Sequence, residues 1–300
     1  MIAFAVSITK PEAYRRHAEP GIRVAAEPDS EIWPFSAAGS IFRSYNLLLD
    51  KAAARDDLEA LVLVHQDAEI VDTDFLKKAR GPLSDPDVGV VGCVGAVGVR
   101  SIAWWEGSVT WGSFVHRYAE YGGGDLPAFS WEAAEMPPYS HTGEVDTVDG
   151  FVLVLPPWTA RNVRFDESLG QLHGYDLDFC LQVREAGRKV VTEDFKVIHH
   201  HSLELVSDPE TWVEAHMRVA EKWDGRVPGV GTGPGDWKQR ARRAEAEAAV
   251  SRAAAVSSDL QAEAAMKEVN ESLSWRITAP LRGVNALRRA AGAKRGRRRA

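Results

Sequence analysis

Short apolar runs alternate with segments of helical character over the first 223 residues of the chain. The first run, residues 2–8, precedes Lys10 and Pro11, which predicts a buried strand that leads into a helix. Further apolar or β-branched runs predict strands, at residues 23–26, 60–64, 88–92 and 148–155, directly after Gly187, and at 196–198. The Gly- and Trp-rich residues 93–112 predict loops and short hairpins.

Three segments between these runs predict helices. Residues 36–55 carry an apolar stripe at helical spacing, residues 175–186 are closed by Gly187, and residues 208–223 begin with an Asp-Pro pair. Strands that alternate with helices predict an α/β domain around a mostly parallel sheet. Ligands of such sheets bind beyond the carboxyl ends of the strands, so polar residues at those ends are the first candidates for a site.

The composition changes after the predicted α/β domain, which we assign to residues 1–223. Residues 224–236 are rich in Gly and Pro, which predicts a linker. Residues 237–272 are rich in Ala, Glu and Arg and contain no Pro or Gly, which predicts a long helix. Its heptad pattern is weak, so a coiled coil and a homo-oligomer through this helix stay open. Residues 273–300 form an amphipathic segment and a basic tail.

The net charge of −7 hides two parts of opposite sign. From Arg282 onward there are eight Lys or Arg residues and no acids, so the preceding part carries −15. This acidic body argues against nucleic acid as the main partner. No apolar run approaches ~18 residues, so we expect no transmembrane helix. With only Cys93 and Cys180 and no signal-peptide pattern, the sequence predicts a cytoplasmic protein without structural disulfides.

The first candidate site follows the predicted strand 60–64 directly. Asp67 stands where a metal-bound phosphate would lie, and Mg²⁺ or Mn²⁺ prefers oxygen ligands. His65, two residues earlier, is a second candidate ligand. Considered alone, an Asp that ends a strand is more often a turn or helix-cap residue than a metal ligand.

Two further clusters carry candidate chemistry. Asp176 and Asp178 cannot share one helical face, so one is a candidate general base and the other a candidate partner of helix-start amides. Compensation of the helix dipole alone also explains both. His199, His200 and His201 alternate faces in a strand, so they cannot all bind one ion, and zinc binding with the two Cys matches no usual ligand spacing.

The chain contains, in this order, the motifs YN, HQD, VGVVG, VDGFVLVLP, RFDESL, HGYDLDFCLQVREAGRKV and VIHHHS. Their order and spacing, over residues 2–203, resemble family 2 glycosyltransferases with the GT-A fold. They are most similar to the streptomycin-biosynthesis-type glycosyltransferase-like branch. The resemblance implies a Rossmann-like, mostly parallel sheet flanked by helices.

The resemblance also implies a metal-dependent, inverting hexosyltransferase-type enzyme with Mn²⁺ or Mg²⁺ as cofactor. Asp67 matches the metal-contacting acid of the family's DxD motif, and His65 replaces the first acid of that motif. His199 matches a family histidine that approaches the metal or the diphosphate. Asp176 matches the catalytic base of the family's Glu-Asp motif, with Tyr175 in place of the Glu.

The remaining site residues are implied for the two substrates. The nucleoside-diphosphate sugar would contact a set on the donor side, namely Thr9, Asn46, Asp67, Asp149 and Gly150. A glycan, lipid-linked or small-molecule acceptor would contact Trp104, Trp105, His173 and Asp178, although each Trp is as well explained by ordinary packing. Three alternatives stay open: a catalytically weak sugar-nucleotide-binding module, a sugar-phosphate nucleotidyltransferase and a zinc-binding interaction protein.

The tail has its own predicted role. Ile277, Leu281 and Val284 are spaced at i, i+4 and i+7 and are flanked by arginines, a pattern that suits the anionic inner face of a cell membrane. This peripheral attachment favours a lipid-linked acceptor or an envelope polysaccharide. Pro280 interrupts the pattern, and a solvated basic tail is the alternative.

Overall fold

A computed structural model of the protein describes residues 1–99, 109–112, 114–117, 125–128, 142–200, 209–223 and 264–278. The chain divides into two compact units, residues 1–235 and residues 236–300, which are described separately. The boundary lies within the linker predicted at 224–236, which is outside the described residues.

The first unit is an α/β structure. Its first half contains β1 (Ile2–Ile8), α1 (Pro11–Ala13), a π-helical turn (Tyr14–Ala18), α2 (Glu19–Ala25), β2 (Glu31–Ser36), α3 (Ile41–Ala53), β3 (Ala60–Val64), β4 (Ala68–Ile70), α4 (Phe75–Leu83), β5 (Val88–Gly92) and β6 (Val94–Val97). Its second half contains β7 (Val109–Gly112), β8 (Phe114–Arg117), β9 (Asp125–Ala128), β10 (Gly143–Val145), β11 (Thr147–Val148), β12 (Val152–Leu155), α5 (Pro157–Asn162), a 3₁₀ turn (Glu167–Leu169), α6 (Tyr175–Glu185), β13 (Lys189–Thr192), β14 (Val197–His199) and α7 (Pro209–Lys222).

A seven-stranded mixed sheet forms the centre of this unit, in the order β10-β13-β5-β12-β3-β1-β2. Five strands run in one direction, and β10 and β12 run in the other. The prediction of a mostly parallel sheet is therefore confirmed. All residues of β3, β5 and β12 are buried, as expected for apolar runs without alternation that are covered on both faces.

The reversed direction of β12 positions the candidate site. Val152, at the start of β12, pairs with Val64, at the end of β3. The segment before β12 and the segment after β3 therefore meet at one edge of the sheet.

Two smaller sheets extend the structure beside this edge. One has the order β11-β6-β7, so the region predicted as loops and hairpins contains an antiparallel pair of strands. The other has the order β4-β14-β8-β9. In it, β14 is antiparallel to β4, with His199 opposite Ala68 and Ile198 opposite Glu69.

Several boundaries differ from the sequence prediction, and the helix predicted at 36–55 begins only at Ile41. The strand predicted at 23–26 is wrong, because Arg23 to Ala25 end helix α2, where Ile22 and Ala25 are buried against the core. The second strand is β2 instead. It lies at the end of the sheet, where the missing N–H group of Pro34 costs no hydrogen bond to a neighbouring strand. The strand predicted at 148–155 is divided into β11 and β12 by a turn at residues 149–151.

The second unit is helical where it is described. Residues 264–271 are helical, in agreement with that part of the predicted helix 237–272. A short helix follows at Leu273–Ile277, and the Ser272 hydroxyl caps it by accepting a hydrogen bond of 3.2 Å from the Trp275 amide. The rest of the predicted helix and residues 279–300 lie outside the described residues. Among the described helices, none has the length and apolar character needed to cross a bilayer.

Candidate active site

Four segments meet at the edge of the sheet where β3 ends. They are residues 65–67 after β3, residues 149–151 before β12, the first turn of α6, and the end of β14. Backbone bonds join them, because the His65 amide donates to the Phe151 carbonyl at 2.9 Å and the His200 amide donates to the Asp67 carbonyl at 2.9 Å. Polar side chains that are far apart in sequence are thereby held together.

His65, Asp67 and His199 form a group of three potential metal ligands. One ligand atom from each residue lies within 4.8 Å of the other two. Asp67 Oδ1 lies 3.5 Å from His199 Nε2 and 3.9 Å from His65 Nδ1. The structure thus brings together the three residues that the sequence analysis named as metal ligands. A carboxylate with two imidazoles suits Mn²⁺ better than Mg²⁺, which favours an all-oxygen set.

The electrostatic environment of His199 is dominated by neighbouring carboxylates. Its burial disfavours the charged imidazolium and lowers the pKa, but the hydrogen bond and charge of Asp67, together with the charge of Asp149, outweigh this and raise the pKa above its usual value. The Phe151 ring stacks on His199 with 4.7 Å between ring centroids and restricts its movement. The concentrated negative charge that stabilises a protonated His199 would equally attract a divalent cation.

Tyr175 anchors His65 from the first turn of α6. Its hydroxyl lies 2.5 Å from His65 Nε2, and the side chain is buried. The same phenol ring fills the space above Gly150, where a Cβ atom would overlap it. Tyr175 was expected only as a replacement for the family's Glu, and its structural role at the site was not foreseen from the sequence.

Asp176 is the candidate general base. Its Oδ2 accepts a hydrogen bond of 3.0 Å from the Gly150 amide, and its Oδ1 accepts one of 2.9 Å from the Leu177 amide. Its pKa is raised to about 7, because the protein packed around the partly exposed carboxyl disfavours the charged form and because Asp149 adds a second negative charge. Both amide hydrogen bonds oppose this shift. A carboxyl poised near neutral pH is suited to proton transfer.

Asp149 and Gly150 belong to the turn between β11 and β12. Asp149 Oδ1 accepts a hydrogen bond of 3.2 Å from the Phe151 amide, and its charge acts on both Asp176 and His199. This turn therefore connects the candidate base with the candidate metal ligands. Its importance was signalled in the sequence by an Asp-Gly pair inside an apolar run.

Gln66 is a site residue that the sequence analysis did not name. Its Oε1 accepts hydrogen bonds from the amides of Thr9 at 2.9 Å and Lys10 at 2.7 Å, and its Nε2 donates to Thr9 Oγ1 at 2.8 Å. Gln66 thus ties the end of β1 to the end of β3. Thr9 lies at the expected edge of the sheet. The sequence did not indicate that Gln66 hydrogen-bonds both the amide and the hydroxyl of Thr9.

Two predicted site residues are used elsewhere by the fold. Asn46 exchanges hydrogen bonds with the backbone of Phe165, at 2.8 and 2.9 Å, and donates to Glu167 Oε1 at 3.1 Å. Its amide therefore holds residues 165–167 against α3. Both bonds that the Asn46 amide nitrogen donates are thus made within the protein, and its contact with a nucleotide stays a prediction.

Asp178 is the second such residue. Its side chain is fully buried, and its carboxylate lies 2.8 Å from Lys222 Nζ, 2.8 Å from Trp223 Nε1 and 2.7 Å from Gln182 Nε2. A buried carboxylate with these partners fastens α6 to α7 and does not reach an acceptor, so the predicted acceptor contact is corrected. Asp178 also does not bond to helix-start amides, the alternative expected from the sequence.

The remaining acceptor candidates are only partly described. His173 is partly exposed just before α6, and its ring centroid lies 6.3 Å from that of the buried His216. Trp104 and Trp105 lie outside the described residues. Of these three remaining candidates, the described residues therefore include only His173.

Comparison with known proteins identifies the relatives of the chain. A sequence model of the glycosyltransferase-like family matches residues 3–221. The streptomycin biosynthesis protein StrF of Streptomyces griseus is 29% identical over 211 residues, with 67% of each chain covered.

Two solved structures show a distant likeness of fold. The mannosyltransferase PcManGT from Pyrobaculum calidifontis, in complex with GDP-Man and Mn²⁺, is 14% identical and matches 94% of this chain and 83% of its own at a TM-score of 0.47. GalNAc-T7 with UDP, GalNAc and Mn²⁺ is 10% identical and matches 75% of this chain and 48% of its own at a TM-score of 0.48. Because the family model spans residues 3–221, the chain belongs to the glycosyltransferase-like family, as its motifs predicted.

Proposed function

We propose that the protein is an inverting glycosyltransferase that moves a sugar from a nucleoside-diphosphate sugar to an acceptor hydroxyl. The observation that carries this proposal is the placement of Asp176. Its carboxyl, with a pKa of about 7, shares the Asp149–Phe151 turn with the His65, Asp67 and His199 group. A proton acceptor and an anion-neutralising group at one edge of the sheet are what a single displacement requires.

In the proposed reaction, Asp176 removes the proton of the acceptor hydroxyl, a role worth ~10²–10⁴-fold in rate. The acceptor oxygen forms a bond to the anomeric carbon while the bond from that carbon to the diphosphate oxygen breaks. The diphosphate leaves with the electron pair, and the configuration at the anomeric carbon inverts. The Gly150 and Leu177 amides hold the Asp176 carboxylate in a fixed orientation during the transfer.

The donor diphosphate would lie at the His65, Asp67 and His199 group. These residues would hold a divalent cation, with Mn²⁺ preferred over Mg²⁺, and such an ion would neutralise the charge of the leaving diphosphate. Thr9 and the Asp149–Gly150 turn would border the sugar nucleotide. His173, Trp104 and Trp105 are proposed on the acceptor side, where an indole face would stack on a sugar ring.

A panel of nucleotide sugars, incubated with and without acceptors while diphosphate release is measured, tests the reaction class. Release that requires an acceptor supports the transferase. Tight binding without release identifies a sugar-nucleotide-binding module, and pyrophosphate chemistry identifies a nucleotidyltransferase. The product anomer, determined by NMR, tests inversion.

The metal requirement has a separate test. EDTA should abolish transfer, and Mn²⁺ should restore it; Asp67→Asn should weaken Mn²⁺ binding measured by electron paramagnetic resonance. Glu167→Gln, which changes a carboxylate bonded to Asn46 outside the group, is the matched control and should leave Mn²⁺ affinity unchanged. Full activity of metal-stripped protein would contradict the assignment.

The second unit would attach the enzyme to an anionic membrane surface. In its short helix, Leu273 and Ile277 occupy positions i and i+4 and are 72% and 68% exposed. Beyond them, the eight Lys or Arg residues from Arg282 onward supply the charge that anionic lipid attracts. Co-sedimentation with vesicles that contain phosphatidylglycerol should be lost when residues 276–300 are deleted, and binding that survives the deletion would remove the proposed anchor.

Such attachment would place the enzyme beside lipid-linked acceptors in the synthesis of an envelope glycan. The acceptor panel should therefore include polyprenyl-phosphate-linked sugars beside free sugars. A preference for the soluble acceptors would contradict this part of the proposal without affecting the reaction class.

A further inference from the structure

A second group of potential metal ligands, His17, Glu69 and His200, lies close to the first group but on another face. Along the β4–β14 ladder, Ile198 faces Glu69 and His199 faces Ala68. Side chains alternate between the two faces of a strand, so His200 follows Ile198 to the face of Glu69, while His199 points to the other face with the buried Ala68. The consecutive histidines therefore belong to two different groups.

The geometry of the second group is compact. His200 Nε2 lies 2.7 Å from Glu69 Oε2. The His17 ring stacks on the His200 ring with 3.7 Å between centroids and 24° between the ring planes. One ligand atom from each of the three residues lies within 4.8 Å of the other two, and all three side chains are partly exposed.

His17 reaches this position from an unusual piece of backbone. It lies in the π-helical turn Tyr14–Ala18, between α1 and α2. Single π-helical turns are uncommon and frequently occur at functional sites. The turn places an imidazole beside Glu69, in the middle of β4, and His200, directly after β14.

We propose that His17, Glu69 and His200 bind a divalent transition-metal ion of the Zn²⁺ class. Two imidazoles and one carboxylate, with a fourth position open to water, form one of the common zinc ligand sets. Ligand atoms around a tetrahedral zinc ion are roughly 3.4 Å apart, so His200 and Glu69, now at 2.7 Å, must separate slightly, and a pair at the 4.8 Å limit must close by up to ~1.4 Å. Rotation of the partly exposed His17 ring out of its stack supplies this movement.

Bound metal would connect three parts of the chain. It would link the π-helical turn after β1 to β4 and to the end of β14. Asp67 directly precedes β4 and lies two residues before Glu69, and His199, the last residue of β14, is adjacent to His200. The ion would therefore stiffen the support of the first group without entering it, and its binding does not depend on glycosyl transfer.

Calorimetric titration of the metal-stripped full chain with ZnCl₂, with Co²⁺ absorption spectra as a second measure of ligand geometry, tests this proposal. We expect micromolar binding that falls by roughly tenfold or more in His17→Ala and Glu69→Gln. Asp67→Asn is the matched control, because it removes a carboxylate from the first group two residues away and should leave this affinity unchanged. Bound zinc should still raise the thermal midpoint of Asp67→Asn, and this rise should be lost in the double variant that also carries His17→Ala.

Two results would overturn the site. One is an absence of binding below 100 µM Zn²⁺ (about the weakest affinity of interest for a site). The other is binding that is lost in Asp67→Asn and kept in His17→Ala, which assigns the ion to the first group. Glu69→Gln keeps the size of the side chain, so it protects the test against misfolding of His17→Ala, and circular dichroism of the metal-free variants verifies their fold.

Discussion

Replacing Asp176 by Asn should remove catalysis and at the same time stabilise the folded protein at alkaline pH. The pKa of Asp176 is about 7 in the folded protein, whereas an unperturbed Asp titrates near ~3.9. Since the folded pKa is the higher one, ionisation of the carboxyl costs folding free energy. The cost begins near pH 4, grows as the pH rises to about 7 and is constant above it.

The size of this effect follows from the shift. At ~1.4 kcal/mol per pKa unit, the cost is at most about 4 kcal/mol at pH 8 and about 1.5 kcal/mol at pH 5. Asn keeps one of the two hydrogen bonds from Gly150 and Leu177 and loses the other, at about 1 kcal/mol. We therefore expect Asp176→Asn to be more stable than wild type by up to about 3 kcal/mol at pH 8 and by only about 0.5 kcal/mol at pH 5.

Urea denaturation followed by Trp fluorescence at both pH values measures this difference, and diphosphate release measures the loss of transfer. Wild-type turnover should fall about tenfold per pH unit below about 7. Asp50→Asn, which removes an exposed carboxylate paired with Arg164, is the control and should change stability by less than ~1 kcal/mol at either pH. A stability difference between Asp176→Asn and wild type that is the same at pH 8 and pH 5 would refute the reasoning.

Two further substitutions test the packing that supports the site. In thermal denaturation, Gly150→Ala should lower the stability by about 1–3 kcal/mol, and it should remove most of the activity, because the new Cβ overlaps the Tyr175 phenol. The control Gly81→Ala lies in a helix where a new Cβ meets nothing within 4 Å, so it should be neutral or stabilising in the same measurement. Lys222→Met should cost about 3–5 kcal/mol in urea denaturation at pH 7, because it leaves the buried Asp178 carboxylate without its cation. A loss below about 1 kcal/mol would show that the hydrogen bonds from Trp223 and Gln182 suffice for that carboxylate.

The sequence predicted the strands whose residues are uniformly apolar, because burial on both faces leaves a clear pattern. It did not predict β2, since Glu31–Ser36 contains a Pro and only Trp33 is buried. Position at the end of a sheet makes such a strand tolerable, and that position is a property of the assembled sheet. Residues 23–26, at the end of α2, were mistaken for a strand because their short apolar run fits the spacing of a helix as well as that of a strand.

The site was predicted unevenly for a similar reason. His65, Asp67 and His199 were identified by motif, and the structure brings them together. Asn46 and Asp178 matched the expected positions equally well, but most of their partners come from segments more than 40 residues away, and only the fold shows that the two side chains hold these segments in place. His17 carries no motif, so its place beside His200 follows from the tertiary structure alone.

The reversed strand β12 also determines when the site can exist during folding. Leu153 pairs with Leu63, which precedes it by 90 residues, and β12 lies between β3 and β5 in the sheet. The pairs of β1 with β2 and β3 are more local, so they can form before this long loop closes. Until β12 is inserted, the Asp149–Gly150 turn has no fixed place and Asp176 lacks one of its two amide donors. Recovery of transferase activity in a refolding experiment should therefore report a late stage of sheet assembly rather than the first collapse.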